Sequence, residues 1–416
     1  MISKNKIRTA LILASAMLVL LGLAGCIRKA NPTGNNWSNV YPLSFTDSTS
    51  FVAGYSYAGS GTVKGTETKL LSGNYGGVEA VAAMRFTGLP KYATFYIPPT
   101  YQDSTYLELT LVKRSPFTRF PVDLSVYKLN QSWAADSTSL IQDANMELLT
   151  PDPFTIPDSI STAGTIVQIP LPMSALENWD STADTLGLSL TVRTGAASYV
   201  EILAAETGRG PRLRFKYRTS DIPEDTDDTE YSQRATRDSY RLDADAAPLL
   251  PNRWVLSNID PSRIYVNFVL NSALFRNTPE NGGGVLSEQQ RRRATINKAE
   301  LIFHVKDNPY YGTTAQYSLR GDRVRDSLDL STPVELTDAQ VASGLINSSV
   351  VLGDSVVVNI TPIIQAYSSG DSGNWGVAVR SLQELLNFGS LELWHFTDAP
   401  AGKQPKLRVI YTPPYL

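Results

Sequence analysis

One cysteine and two histidines are all that this 416-residue chain has of the side chains that most often bind metals or shuttle protons. A lone cysteine excludes an intramolecular disulfide. There is no His-x-x-x-His and no cysteine pair, so zinc is not expected. Neither a Gly-x-Ser-x-Gly elbow nor a phosphate-binding P-loop is found. A Ser-His-Asp triad would have to recruit His304 or His395, and both sit in strand-like stretches, "LIFHV" and "LELWHF". Paired carboxylates for glycoside hydrolysis stay open, because only their separation in space matters. The expectation is a chain without enzymatic activity.

Excess positive charge is lacking too. Lysine and arginine number 37 against 40 aspartates and glutamates, a net charge of −3. Such a balance argues against nucleic-acid binding. It also argues against recruitment to anionic lipid by charge alone. At 42% hydrophobic and 19% charged residues, the composition reads as globular. A chain of this length is expected to divide into two domains.

Long apolar runs are scarce, and the clearest lies at the start. "MISKNKIR" carries Lys4, Lys6 and Arg8, and "TALILASAMLVLLGLAG" follows without a charge. A basic stretch followed by an apolar one is the pattern of an export signal. It ends in "LAGC", Leu23 to Cys26, which resembles the lipobox of bacterial lipoproteins. That resemblance implies cleavage after Gly25 and lipidation of Cys26. An uncleaved transmembrane anchor is the alternative, but the run is short for a full span. The sole cysteine also stands where a lipobox needs it. Residues 1–25 are thus read as signal and 26–45 as tether. Removing the signal leaves 34 basic against 40 acidic residues, a net charge of −6. Attachment would rest on lipid, and stable anchoring takes more than one acyl chain. Ile27, where aspartate would retain such a protein in the inner membrane of enteric bacteria, points by analogy to the outer membrane, facing the periplasm or the surface.

The remainder repeats itself. "PRLRFKY" at Pro211–Tyr217 returns 194 residues later as "PKLRVIY" at Pro405–Tyr411. Upstream, "STYLELTLVK" is echoed by "INKAELIFHVK", and "AAMRFTG" by "IYVNFVL". Each copy carries a glutamate in its penultimate strand, Glu201 and Glu392, which suggests a shared role in the fold such as pairing with arginines across the strands. Order and spacing hold, as in an internal duplication. The segments alternate with period two: Leu107, Leu109 and Leu111 share one face, and Leu407, Val409 and Tyr411 another. Helical signal is confined to short turns at Met173–Asp180 and after Thr361, where Thr361 would cap and Pro362 would start a helix. The chain is therefore expected to be all-β, two tandem antiparallel jelly-roll-like sandwiches at 46–218 and 240–416. Between them, 219–239 is polar and acidic and reads as a linker. The carboxylates from Asp221 to Glu230 could hold a structural calcium, although no ordered loop motif is present.

"ATINKAELIFHV", "VVVNITPIIQAYSSGDSGNWGVAVRS" and "QPKLRVIY" occur in the order of the DNRLRE-type, or disaggregatase-related, domain, which the second copy resembles. Asn359 stands where that family usually has aspartate, and the first copy fits less closely. The resemblance implies a sandwich related to carbohydrate-binding modules, with acidic polysaccharides as ligands of some members, and it does not imply catalysis.

Flat aromatic rings are the usual platforms for sugars. Trp394, Tyr310, Tyr311, Trp133 and Trp179 are candidates, although each has a packing explanation as well. "RRR" at Arg291, Arg292 and Arg293 could meet acidic sugars or simply form a solvated face. The function expected is non-catalytic polysaccharide binding by a lipid-anchored envelope protein. Scaffolding through contacts with another envelope protein is the second reading, and polysaccharide degradation the third. Replacing Cys26 with serine should leave unprocessed precursor and abolish labelling by a fatty-acid analogue. A variant that still labels and matures would refute the lipoprotein reading.

Overall fold

Alternation of apolar and polar residues becomes strand after strand. The structure is a computed structural model that describes residues 41–59, 63, 65–75, 77–89, 104–115, 121–131, 133, 141–176, 187–195, 197–217, 229–244, 250–307, 318–326, 336–342, 351–352 and 354–415. Its strands begin with β1 (Leu43–Asp47) and β2 (Phe51–Ala58). Then come β3 (Lys69–Tyr75), β4 (Val78–Phe86), β5 (Tyr106–Ser115), β6 (Asp123–Leu129), β7 (Met146–Leu148), β8 (Phe154–Thr155), β9 (Thr165–Pro170), β10 (Leu188–Thr194), β11 (Tyr199–Leu203) and β12 (Arg212–Tyr217). A second series starts with β13 (Thr229–Arg234) and β14 (Arg237–Ala244). It continues through β15 (Trp254–Ser257), β16 (Ser262–Phe268), β17 (Thr295–Asp307), β18 (Leu319–Val324), β19 (Val341–Ala342), β20 (Val351–Leu352), β21 (Ser355–Asn359), β22 (Val377–Ser381), β23 (Ser390–Leu393) and β24 (Lys406–Thr412).

Among the described residues these strands form two antiparallel systems of 12 strands each, and the two correspond along their main paths. One runs β13-β12-β5-β11-β3-β4-β10-β6-β7, the other β1-β24-β17-β23-β15-β16-β22-β18-β19. Off these paths, β14 lies along β4 as β2 lies along β16, and β9 along β5 as β21 along β17. A single long strand serves both layers of each sandwich. β17 pairs with β24 and β21 over its first part, shifts register, and ends against β23. Bulges of this kind let a strand turn the corner between sheets. The expected all-β architecture of two tandem antiparallel sandwiches is what the chain adopts. Leu107, Leu109, Leu111, Leu213, Leu407 and Val409 are buried as their periodicity requires.

The division between the units differs from the one that composition suggests. Residues 229–244, read as the end of a linker and the start of the second domain, are β13 and β14 of the first unit. An edge strand needs few apolar residues. In β13 only Tyr231 turns inward, stacking on Phe215 with ring centroids 4.7 Å apart. Residues 219–228 lie outside the described residues. Conversely, Leu43–Asp47 and Phe51–Ala58, read as tether and first domain, belong to the second unit. β1 pairs with β24 from Leu43↔Tyr411 to Asp47↔Leu407, and β2 pairs with β16. The units also meet directly: Phe388, between β22 and β23, stacks on Tyr199 of β11 at 4.4 Å.

The helix after β21 spans Thr361–Ser369 with Pro362 in its first turn. Thr361 is not its cap. The Thr361 amide instead donates to Asn359 Oδ1 at 2.9 Å, and the Thr361 hydroxyl accepts from the Ala299 amide. Of the expected matching turn, Met173–Leu176 forms a 3-10 helix.

β2 is fastened at several points. Phe51, Tyr55 and Tyr57 are buried. Ser56 Oγ accepts from the Val255 amide at 2.7 Å and donates to Arg253 O at 2.9 Å. Gly54 lies so close to Trp254 that an added Cβ would stand 2.7 Å from the indole. His395 binds Gly54 O through Nε2 at 3.1 Å and Thr397 Oγ1 through Nδ1 at 2.8 Å. Burying one large apolar side chain stabilises by roughly 1.5–3 kcal/mol. Deleting residues 1–58 should therefore cost the second unit most of its stability. Urea titration should show loss of its cooperative transition, restored by a peptide spanning 43–58. An unchanged transition would exclude this role for β2.

The two units should respond oppositely to pH. Burial is the main influence on His395 and lowers its pKa, while Gly54 O and Asp398 raise it. Neutral His395 is thus favoured by the fold, and its stabilisation is present above about pH 6.5 and lost as pH falls. Asp238 on β14 is buried, accepts from the Ala205 amide at 2.7 Å and lies near Glu206 and Glu67. Burial, foremost, pushes its carboxyl up to about 7. Its contribution is present below the unfolded value near 4 and lost as pH rises towards 7. Asp238→Asn should stabilise the protein at pH 8 by on the order of 1–2 kcal/mol. His395→Gln should flatten the loss between pH 6.5 and 5. Urea titrations at both ends of the range check both outcomes.

Candidate functional site

The arginine triplet divides on folding. Ser287 and Gln290 form a capping box that starts a short helix, Glu288–Arg292. Arg292 then pairs with Glu288 one turn back, and Arg293 follows the helix and is exposed. Arg291 points the other way. Its Nη1 donates to Ser368 O at 3.2 Å, and Ser368 Oγ donates to Arg291 O.

Arg291 lines a cavity of about 350 Å³ with Val52, Asn267, Phe268, Val269, Leu270, Tyr367 and Asn374. Five parts of the chain meet here: β2, the end of β16, the helix Glu288–Arg292, the helix Thr361–Ser369 and the loop before β22. The volume lies in the range of small-ligand pockets, roughly 300–1,000 Å³. Asn374 Nδ2 donates to Phe268 O at 2.6 Å, which fixes the amide. Its Oδ1 is buried and has no hydrogen-bond partner, and the same holds for Arg291 Nε. Burial raises the pKa of the Tyr367 phenol, which stays protonated and donates to Gly376 O at 2.7 Å. The cavity therefore combines one unpartnered cationic donor, one unpartnered neutral acceptor and apolar walls. At its rim Val52 and Val269 are each more than half exposed. Buried polar atoms are normally satisfied, so this arrangement suits a polar ligand with an apolar side.

The aromatic candidates are placed differently. Trp133 is buried, with Nε1 donating to Ser189 Oγ at 3.2 Å, so it packs and is not a platform. Trp394 is half-buried, and Lys306 Nζ lies 5.3 Å from its ring centroid. That cation takes one ring face. Tyr310, Tyr311, Trp179 and Cys26 lie outside the described residues. Trp375, beside the cavity residue Asn374, is 37% exposed and was not among the candidates. Of the acidic stretch read as a calcium site, Glu230 is described, and it is held by Arg214 Nε at 2.7 Å. Among the described residues, no group of three acidic, histidine or cysteine side chains is arranged for a metal.

The paired glutamates do the same work in both copies. Glu392 lies between Arg253 at 2.7 Å and Lys306 at 2.9 Å. Glu201 is buried against Lys69 at 2.6 Å. In each copy the middle strand's carboxylate is clamped by a base from a flanking strand, which ties the strands together. Arg408 likewise pairs with Glu300, and Arg214 with Glu230 and Glu108. His304 is buried on both ring nitrogens without a hydrogen bond and lies 3.8 Å from Asp354.

Among the described residues no helix is long and apolar enough to cross a membrane. Comparison with protein-family models, with curated proteins and with solved structures finds no match for the chain.

Proposed function

We propose that this chain is a lipid-anchored, non-catalytic protein of the bacterial envelope that binds polysaccharide. The cavity beside Arg291 takes one sugar unit of an acidic chain. The unpartnered Arg291 Nε and Asn374 Oδ1 in a cavity of about 350 Å³ carry the reading. A guanidinium suits a carboxylate or sulfate substituent, an amide oxygen suits a hydroxyl, and Phe268 and the valines suit the apolar face of the ring. The lipobox at Cys26 and the resemblance of the second copy to DNRLRE-type domains support the same picture.

Scaffolding is the second reading, and the exposed Val52 and Val269 at the rim favour it, because an aliphatic side chain from a protein partner would cover them. A glycan array probed with the intact protein separates the two. Acidic glycans should bind, and Arg291→Met or Asn374→Ala should weaken binding roughly tenfold or more. Arg292→Met, on the solvated side of the helix, should bind as the wild type does. Absence of glycan binding, or binding indifferent to Arg291, would reject the polysaccharide reading.

A further inference from the structure

Arginines in this protein meet carboxylates along one edge. Arg214, Arg253, Arg263, Arg292 and Arg408 each present Nε and Nη2 together to a single glutamate. That edge matches two oxygens of a carboxylate or a tetrahedral oxyanion. The buried arginines also keep acidic company. Arg263 lies between Glu384 and Asp338, Arg320 rests on Asp322, and Arg114 donates to Pro157 O with Asp158 at 3.4 Å.

Arg85 departs from this pattern. It is only 6% exposed, and its Nε and Nη2 are buried without a hydrogen-bond partner. No ion pair joins it to a carboxylate among the described residues. Its neighbours across β4 are Ser189 on β10 and Arg237 on β14, so all three share one face. The core residues Met84 and Phe86 point to the other face. On the same outer face, one pair further along, Ser239 is buried and its Oγ has no partner. Trp133, bonded to Ser189, stands on the opposite flank, and Arg237 is exposed.

A guanidinium does not shed its proton in a protein, although burial and the charge of Arg237 both push its pKa down. A bare buried cation is costly, and a second cation beside it adds to the cost. The described polar groups beside it on this face are arginine and serine side chains, and the missing partner is negative. We propose that Arg85, with Ser239 Oγ and Arg237, forms an oxyanion site on the outer face of the first unit. It takes a carboxylate or sulfate group across Nε and Nη2 of Arg85. The source is either a free inorganic anion or an acid substituent on a sugar. This site is separate from the cavity beside Arg291 and does not depend on how that cavity is used.

Calorimetric titration of the intact protein tests it, with sodium sulfate and sodium glucuronate as ligands in a chloride buffer of constant ionic strength. At least one of them should bind saturably to the wild type. Arg85→Lys keeps the charge and loses the two-pronged edge, and should bind roughly tenfold to a hundredfold more weakly. Arg237→Ala, at an exposed position that leaves the core intact, should also weaken binding severalfold. The titrations are also run on Arg291→Met, so that anion held by the cavity is not counted, and the component that depends on Arg85 should persist there; Arg292→Met, on the solvated side of its helix, should bind as the wild type does. Binding of sulfate alone would assign an inorganic anion, and binding of glucuronate would assign a sugar acid. The site is overturned if neither anion binds, or if both bind equally to wild type, Arg85→Lys and Arg237→Ala.

Discussion

Backbone pairing between the two ends of the described chain governs this structure. β1 lies against β24 and β2 against β16, so the second sandwich is completed by strands that precede the whole of the first. The first sandwich is completed by the strand pair that follows it, β13 and β14. The repeating unit of the sequence is therefore two strands followed by ten, whereas the folded unit is ten strands joined by two. The cavity depends on this arrangement, since Val52 of β2 forms part of its wall. Phe45 depends on it as well, packing edge-on against Phe275 at 5.1 Å.

Much of this was legible in the residues, for identifiable reasons. The closing strands could be read because Leu213 and Phe215, like Leu407 and Val409, alternate with charged neighbours, and one-sided burial imposes period two. The duplication could be read because strands at equivalent places keep equivalent inward residues. Strand exchange left no such trace. Pairing through backbone groups is indifferent to side-chain identity, and β13 satisfies its sheet with one inward tyrosine, so a polar segment looked like a linker. The division of the arginine triplet was partly legible: Ser287 and Gln290 are a capping-box pair, and a helix starting there turns successive arginines in different directions. The cavity itself was not, because its lining comes from five separate segments that only tertiary folding unites.

Charge in this molecule is arranged to join strands more than to decorate the surface. Glu201, Glu300 and Glu392 are each largely enclosed, and each is met by a base from a neighbouring strand. Removing one member of such a pair would strand the other in a poorly solvated place, a change that costs more than the intact pair contributes to net stability. Against this background the unpartnered polar atoms carry information. Arg85 is the exception among the described buried arginines, since Arg114, Arg263 and Arg320 each have a carboxylate beside them.

The exchanged strands also set an order in time. A chain made from its N-terminus presents Leu43–Ala58 early, yet their partners, Ser262–Phe268 and Lys406–Thr412, come only after the whole first sandwich. During that interval the first sandwich has all its strands by Ala244 and can close. The earliest strands, carrying Phe51, Tyr55 and Tyr57, must wait unpaired beside it. Contacts this distant in sequence slow folding, and waiting strand edges invite pairing with other chains. Assembly of the second sandwich is thus tied to the appearance of Lys406–Thr412, and its rate should be set by how well those sixteen residues are shielded until then.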